Sequence, residues 1–136
     1  MRFDTKIAIA VRDDLAVWQK LNVTAFLASG IVAGIPETAG KPYEDGSGQH
    51  YLEMFRQPVL VYAADGPLLS VIRERACGRD LATGIYTEDL FATGNDDDNR
   101  ATVGAVATAD LNLVGVAVYG PRNPVDKVFK GAGLHP

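Results

Sequence analysis

Charged side chains stand where three apolar runs of this chain stop. Arg12, Asp13 and Asp14 follow the first run, Asp65 the second, and Glu88 and Asp89 the third. A carboxylate whose pKa is raised by burial can accept a proton near neutral pH, so Glu88 is a candidate general base. Arg12 beside an acid pair can position a polar substrate, with Asp14 as its companion. Asn22 lies four residues after Trp18 and four before Phe26, so all three share one face of a helix. An amide on such a face can line a pocket. A plainer reading competes at each position. Asp13 or Asp14 can cap the following helix, with Arg12 paired to one of them. Asn22 can be a core amide satisfied by a neighbour.

Other chemistry finds little support. Cys77 is the sole cysteine, which excludes an internal disulfide and a cysteine-based zinc site. Nucleophilic cysteines need a base and an electropositive setting, and nothing in the sequence brings His50 or His135 to Cys77, which reads as a small buried residue. Asp96-Asp97-Asp98 lacks the spacing and the closing Glu of a calcium loop. Gly46-Ser47-Gly48 lacks the Lys-Ser/Thr of a phosphate-binding loop. No metal and no cofactor are expected.

The elements that must position these residues alternate in type. Residues 6–12 form a nearly continuous apolar run, the pattern of a strand covered on both faces. Residues 15–33 read as a helix, with Leu15, Trp18, Leu21, Ala25 and Phe26 recurring at helical spacing. Residues 35–48 form a long loop, and 49–55 a short strand. The next strand runs to Ala63 from Pro58, and Asp65-Gly66-Pro67 turns the chain into a helix over 67–77. A strand over 82–87 follows. Asn95 to Asn99 form a turn and helix cap, and a helix is expected over 98–108. A strand over 113–119 and a helix over 124–131 complete the series. This alternation predicts one α/β domain over residues 1–136. The expected form is a three-layer α/β/α sandwich with right-handed crossovers around a mixed, mostly parallel sheet of four to five strands.

Composition narrows the partners. The net charge is −4, from 13 basic and 17 acidic residues. Nucleic-acid binders carry a basic footprint because phosphate contacts supply most of their affinity, so a nucleic-acid partner is disfavoured. Arg73, Arg75 and Arg79 are the nearest thing to a basic patch and read as a solvated helix face. No apolar stretch reaches the roughly 18 residues needed to span a bilayer. The N-terminus lacks a signal-peptide layout, and the cysteine usage fits a reducing, cytoplasmic setting.

The opening Lys6-Ile7-Ala8-Ile9-Ala10-Val11-Arg12-Asp13-Asp14-Leu15 resembles the strand-to-helix start of the type 2 peptidyl-tRNA hydrolases, an apolar strand followed by Arg, any residue, Asp and Leu. The order of the later elements and Val125-Asp126-Lys127-Val128 in the last helix are similar too. Within that superfamily, Trp18-Gln19-Lys20-Leu21-Asn22-Val23 with Phe26, and the tail Gly131-Ala132-Gly133-Leu134-His135-Pro136, resemble an uncharacterised bacterial branch known as a domain of unknown function. The resemblance covers nearly the whole chain and implies the hydrolase II-like fold. Its catalytic pattern carries over incompletely. The family's helix lysine falls at Leu21, one residue after Lys20, which is a rotation of about 100° on a helix. The helix Gln and His positions fall near Phe26 and Ala28. The acid after the third strand is Glu88, and Thr87 or Thr93 would supply the hydroxyl.

Three readings follow. The first is an altered site on this scaffold that binds a small or peptide-like ligand near Arg12, Asp14, Asn22 and Glu88. The second is a peptidyl-tRNA hydrolase that uses Lys20 and Glu88 in a rearranged ester-hydrolysing site. The third is a non-catalytic interaction module that forms a homodimer.

Overall fold

The computed structural model describes residues 2–136. Strand β1 spans Thr5–Arg12, and Ile7 through Val11 are buried on both of its faces. It lies at the centre of a five-stranded sheet with the order β5-β6-β1-β4-β7. The partners are β4 (Val59–Ala64), β5 (Ala82–Thr87), β6 (Leu113–Pro121) and β7 (Gly133–Leu134). Strand β1 runs parallel to β4, with Ile9 opposite Val61, and antiparallel to β6, with Ile9 opposite Ala117. Strands β5 and β7 run antiparallel to β6 and β4.

The sheet is therefore mixed but not mostly parallel, since β1–β4 is its one parallel pair. The reason lies between β5 and β6. The intervening segment returns to the end of the sheet from which it left, and the Glu88 N–H bonds the Asn112 carbonyl at 2.9 Å. It is a connection at one end, so β6 must run back against β5. Strands β1, β4 and β5 still share one direction, and their carboxyl ends lie along one rim with the start of β6.

Alternation along β1 feeds two cores. Ile7, Ile9 and Val11 pack under α1 (Val17–Gly34), while Ala8 and Ala10 pack under α2 (Gly66–Gly78) and α4 (Arg122–Val128). The helices thus cover both faces of the sheet. Helix α1 presents Val23, Leu27 and Ile31 to the sheet. It can lie close because β6 carries Gly115 beneath it. A Cβ there would come within 2.5 Å of Val23 Cγ1 and 2.8 Å of Leu27 Cδ1.

Several local expectations change. Neither Asp13 nor Asp14 caps α1. The N-cap is Ala16, whose N–H is held by Gln19 Oε1 at 3.0 Å. Cys77 is exposed, not buried. Asp65 does cap α2, accepting from the Leu68 N–H at 2.9 Å, and Asn95 caps α3 (Asp96–Gly104) by accepting from the Asp98 N–H. Arg75 is more than a solvated charge. Its guanidinium donates to the carbonyls of Val128, the last residue of α4, and Lys130 just past it, where a cation is favoured. The segment after α1 is a projecting ribbon of β2 (Tyr43–Glu44) and β3 (His50–Tyr51). No helix among the described residues is long and apolar enough to cross a membrane.

Candidate functional site

Arg12 ends β1, Glu88 follows β5 and Asn112 precedes β6, so the topology gathers them at one rim. Arg12 Nε donates to Asp14 Oδ1 at 2.5 Å, and its Nη1 lies 3.7 Å from Glu88 Oε2 and donates to Asn112 Oδ1 at 3.3 Å. Asn112 Nδ2 donates to the same Glu88 oxygen at 2.5 Å. Burial alone would lower the pKa of Arg12, but the bond to Asp14 and the nearness of both carboxylates outweigh it and raise it. The four groups satisfy one another. Only 17% of the Arg12 side chain is exposed, against 67% of Asp14 and 49% of Glu88. Arg12 is a clamp within the protein, and one of the two Glu88 carboxylate oxygens, Oε2, is engaged in it. The hydroxyl of Thr87 beside it is buried and has no partner among the described residues.

Lys20 is not brought to Glu88. Its ammonium donates to His135 Nε2 at 3.2 Å. His135 extends β7, its N–H bonding the Val61 carbonyl at 2.9 Å. Strands β5 and β7 are the two edges of the sheet. Four strand spacings of about 4.8 Å each separate them.

The face of α1 that carries Trp18, Asn22 and Phe26 does not enter the core. Trp18 is 62% exposed and Phe26 49%. The physical reason is the sheet beneath. A glycine-floored strand admits close, compact side chains such as Val23 and Leu27, and bulky rings would hold the helix off. The rings turn aside and meet those of β5 and the turn after it. Trp18 meets Phe91 edge-on at 5.8 Å between centroids, Phe91 lies 5.3 Å from Tyr86, and Tyr86 lies 5.7 Å from Phe26.

These rings border a cavity of about 460 Å³ between α1 and residues 90–99. Asn22, Ser29, Thr93, Asn95, Asp96 and Asn99 are the polar residues of its wall beside Tyr86. Asn22 Nδ2 donates to the Tyr86 hydroxyl at 3.3 Å. Burial raises the pKa of that phenol and the Asn22 bond partly opposes the rise, so the phenol stays protonated through the neutral range. The Thr93 hydroxyl lies between the Leu90 carbonyl and Asn99 Oδ1. A more apolar extension of about 500 Å³ shares Phe26, Tyr86, Leu90 and Asn99 and runs on past Gly84 and Val103.

The arrangement offers flat apolar surface, amide and hydroxyl groups, and the Asp96 carboxylate paired with Arg100. Of the ligand-binding and catalytic candidates Arg12, Asp14, Lys20, Asn22 and Glu88, only Asn22 lines this cavity, together with its helix neighbours Trp18 and Phe26 and with Thr93. Tyr86, Phe91 and Asn99 were missed. Their signal was an excess of large apolar residues on α1, more than one buried face requires, with two further aromatics flanking Glu88. Among the described residues, no group of three or more His, Cys, Asp or Glu side chains is placed to hold a metal.

A solved structure is closely similar to this one. It is that of the protein of unknown function Atu0240 from Agrobacterium tumefaciens strain C58, at 50% sequence identity and a TM-score of 0.96, covering 99% of this chain and 100% of that one. No match was found among curated proteins. The family model for proteins of unknown function DUF2000 matches residues 5–136, and the chain belongs to that family.

Proposed function

We propose that the protein binds a small, peptide-like ligand bearing an aromatic or other flat ring, in the groove between α1 and residues 90–104. The observation that carries this is the run of four rings, Trp18, Phe91, Tyr86 and Phe26, bordering a cavity that also holds the amides of Asn22 and Asn99. Rings offer stacking or edge contacts to a flat group. Asn side chains both donate and accept, which matches the two faces of a peptide amide. A cavity of about 460 Å³ falls in the range of small-molecule sites. The one carboxylate on the cavity wall, Asp96, is paired with Arg100, so the groove holds little unpaired charge to offset the desolvation of a strongly charged ligand.

Trp18 is the only tryptophan, and it stands at the rim, so its emission reports occupancy. Titration with N-acetyl-phenylalaninamide is expected to give a saturable change in Trp18 fluorescence. Asn22→Leu, which keeps bulk and removes the amide, is expected to weaken binding by about fivefold or more. A flat titration to millimolar concentration with this probe and with its tyrosine and tryptophan analogues would sink the reading.

Ester hydrolysis of peptidyl-tRNA is the contrasting activity on the resembled scaffold. The separate engagements of Lys20 and Glu88 argue against it. Turnover of a peptidyl-tRNA at low salt that is lost in Glu88→Gln would restore it. No turnover above background is the expected result.

A further inference from the structure

The ribbon that follows α1 is anchored at its base and bare beyond it. The Arg56 N–H bonds the Thr38 carbonyl at 2.8 Å, the Gly40 N–H bonds the Met54 carbonyl at 2.7 Å, and Ala39 bridges Phe55. Past that base, every residue from 41 to 54 is exposed. The turn is well made. Asp45 Oδ1 accepts from the N–H groups of Ser47 and Gln49, Oδ2 accepts from the Tyr51 hydroxyl, and Gly48 takes a positive φ of 86°. Yet the arm has no core of its own. A lone two-stranded hairpin is marginal in water. Each ordered residue costs about 1–2 kcal/mol of backbone entropy, and nothing in the same chain buries this arm to offset it.

Its side chains are not those of a solvated loop. Tyr43, Tyr51, Leu52 and Met54 are all exposed, with Leu52 at 84%. The arm's charges are Lys41 against Glu44, Asp45 and Glu53. That acidic balance repels a phosphate backbone and an anionic membrane. An apolar, weakly acidic surface fits a protein partner.

Two observations select a second copy of this chain. The first is area. The chain exposes 8037 Å² at a mass of 14.5 kDa, whereas a compact monomer of that mass exposes about 6,900 Å². The excess of about 1,100 Å² compares with about 800 Å² buried per partner in a standard interface. The second is self-complementarity. Beside the projecting arm lies a largely apolar groove of about 470 Å³, lined by Ala28, Val32, Ala39, Met54 and Phe55 with Ser29 and Glu53. A knob and a hollow on one side of one chain are what a twofold interface requires. We infer that the arm 41–54 is the contact through which two copies form a symmetric dimer, each arm lying on the groove at the base of the other. This contact shares only Ser29 with the ring-lined cavity and does not rest on its occupancy.

The test is the mass of the intact protein by light scattering after size exclusion, from 1 to 100 µM. The expected value in the upper part of that range is twice 14.5 kDa. The double variant Leu52→Glu, Met54→Glu changes two exposed side chains and is expected to remain monomeric throughout the range with unchanged circular dichroism. Val71→Glu, exposed on α2 on the opposite face of the sheet from α1, is expected to leave the dimer intact. Hydrogen exchange of wild-type amides 43–53 supplies a readout without mutation, slow when concentrated and at least tenfold faster on dilution to monomer. A wild type that is monomeric throughout, an arm variant that stays dimeric, a Val71→Glu variant that dissociates as fully as the arm variant, or arm exchange insensitive to dilution would each overturn the proposal.

Discussion

Lys6 shows how a single enclosed charge is held at the start of β1. Its side chain is 11% exposed, and its ammonium donates to the Tyr62 hydroxyl at 2.8 Å and to Asp126 at 2.5 Å. Burial alone would lower its pKa, but the two bonds outweigh it and carry the pKa above 10.5. A folded pKa above the unfolded one gives a contribution complete below the unfolded pKa and lost as pH rises through the folded one. Asp126→Ala is therefore expected to cost about 1–2 kcal/mol at pH 7, discounted because Asp126 is half exposed. Urea unfolding measures it, and the gap from wild type is expected to close as pH rises past 10.5. A gap that is flat with pH would assign the loss to packing. At this scale the sequence was only partly legible. The shared face of Trp18, Asn22 and Phe26 was readable, but not whether it faced core or groove. That depended on Gly115, a hundred residues away and silent in any local pattern. The pairing of Arg12 with Asp14 was readable because it is local. The roles of Asn112 and His135 were not, because each acts on a residue distant in the chain.

The elements themselves were largely legible, because apolar period and turn chemistry act over short spans. The runs that became β1, β4, β5 and β6 stand close to their expected bounds, and Asp65 caps α2 as Asp-Gly-Pro predicts. Asp65→Ala is expected to cost about 1 kcal/mol in thermal or urea unfolding. Helix starts were less legible where the cap came from a partner three residues on, as for Ala16 and Gln19. The seat of α1 on the sheet makes the sharper prediction. In Gly115→Ala the new methyl would overlap Val23, whose β-branched side chain has few rotamers to escape into. The expected loss is about 1–3 kcal/mol, with a Tm several degrees lower. A neutral substitution would mean that α1 can lift off the sheet without cost. The same lift would widen the ring-lined groove, so Trp18 emission in the variant reports whether helix seating and groove shape are coupled.

At the scale of the whole molecule, the legible part was the alternation of strands and helices and the placing of helices on both sheet faces. Strand direction was not legible. Whether the segment from 88 to 112 crosses over the sheet or returns to the same end depends on tertiary bonds such as Glu88 to Asn112. Strand β7 is two residues long and carries no periodic signal. The ribbon 41–54 is another whole-molecule feature. In sequence it spans the end of a long loop, 35–48, and a short strand, 49–55, and neither pattern shows that the two pair as a ribbon with every residue from 41 to 54 exposed.

The central place of β1 also bears on how the chain reaches its native state. Ile9 pairs with Val61, a separation of 61 − 9 = 52 residues, and with Ala117, a separation of 117 − 9 = 108 residues. Contacts between such distant parts of a chain slow the search for the native arrangement. Until residues 113–121 arrive, Ile7 to Val11 lack their β6 partner, a stretch rich in β-branched residues with no charge among them. Such a segment is a hazard for intermolecular association while it waits. Refolding followed by stopped-flow Trp18 fluorescence is expected to be slow, in milliseconds to seconds, with yield falling as protein concentration rises. An Ile9→Lys chain would escape the association but lose the native state, because the strand that endangers the chain early is the one on which both cores are later built.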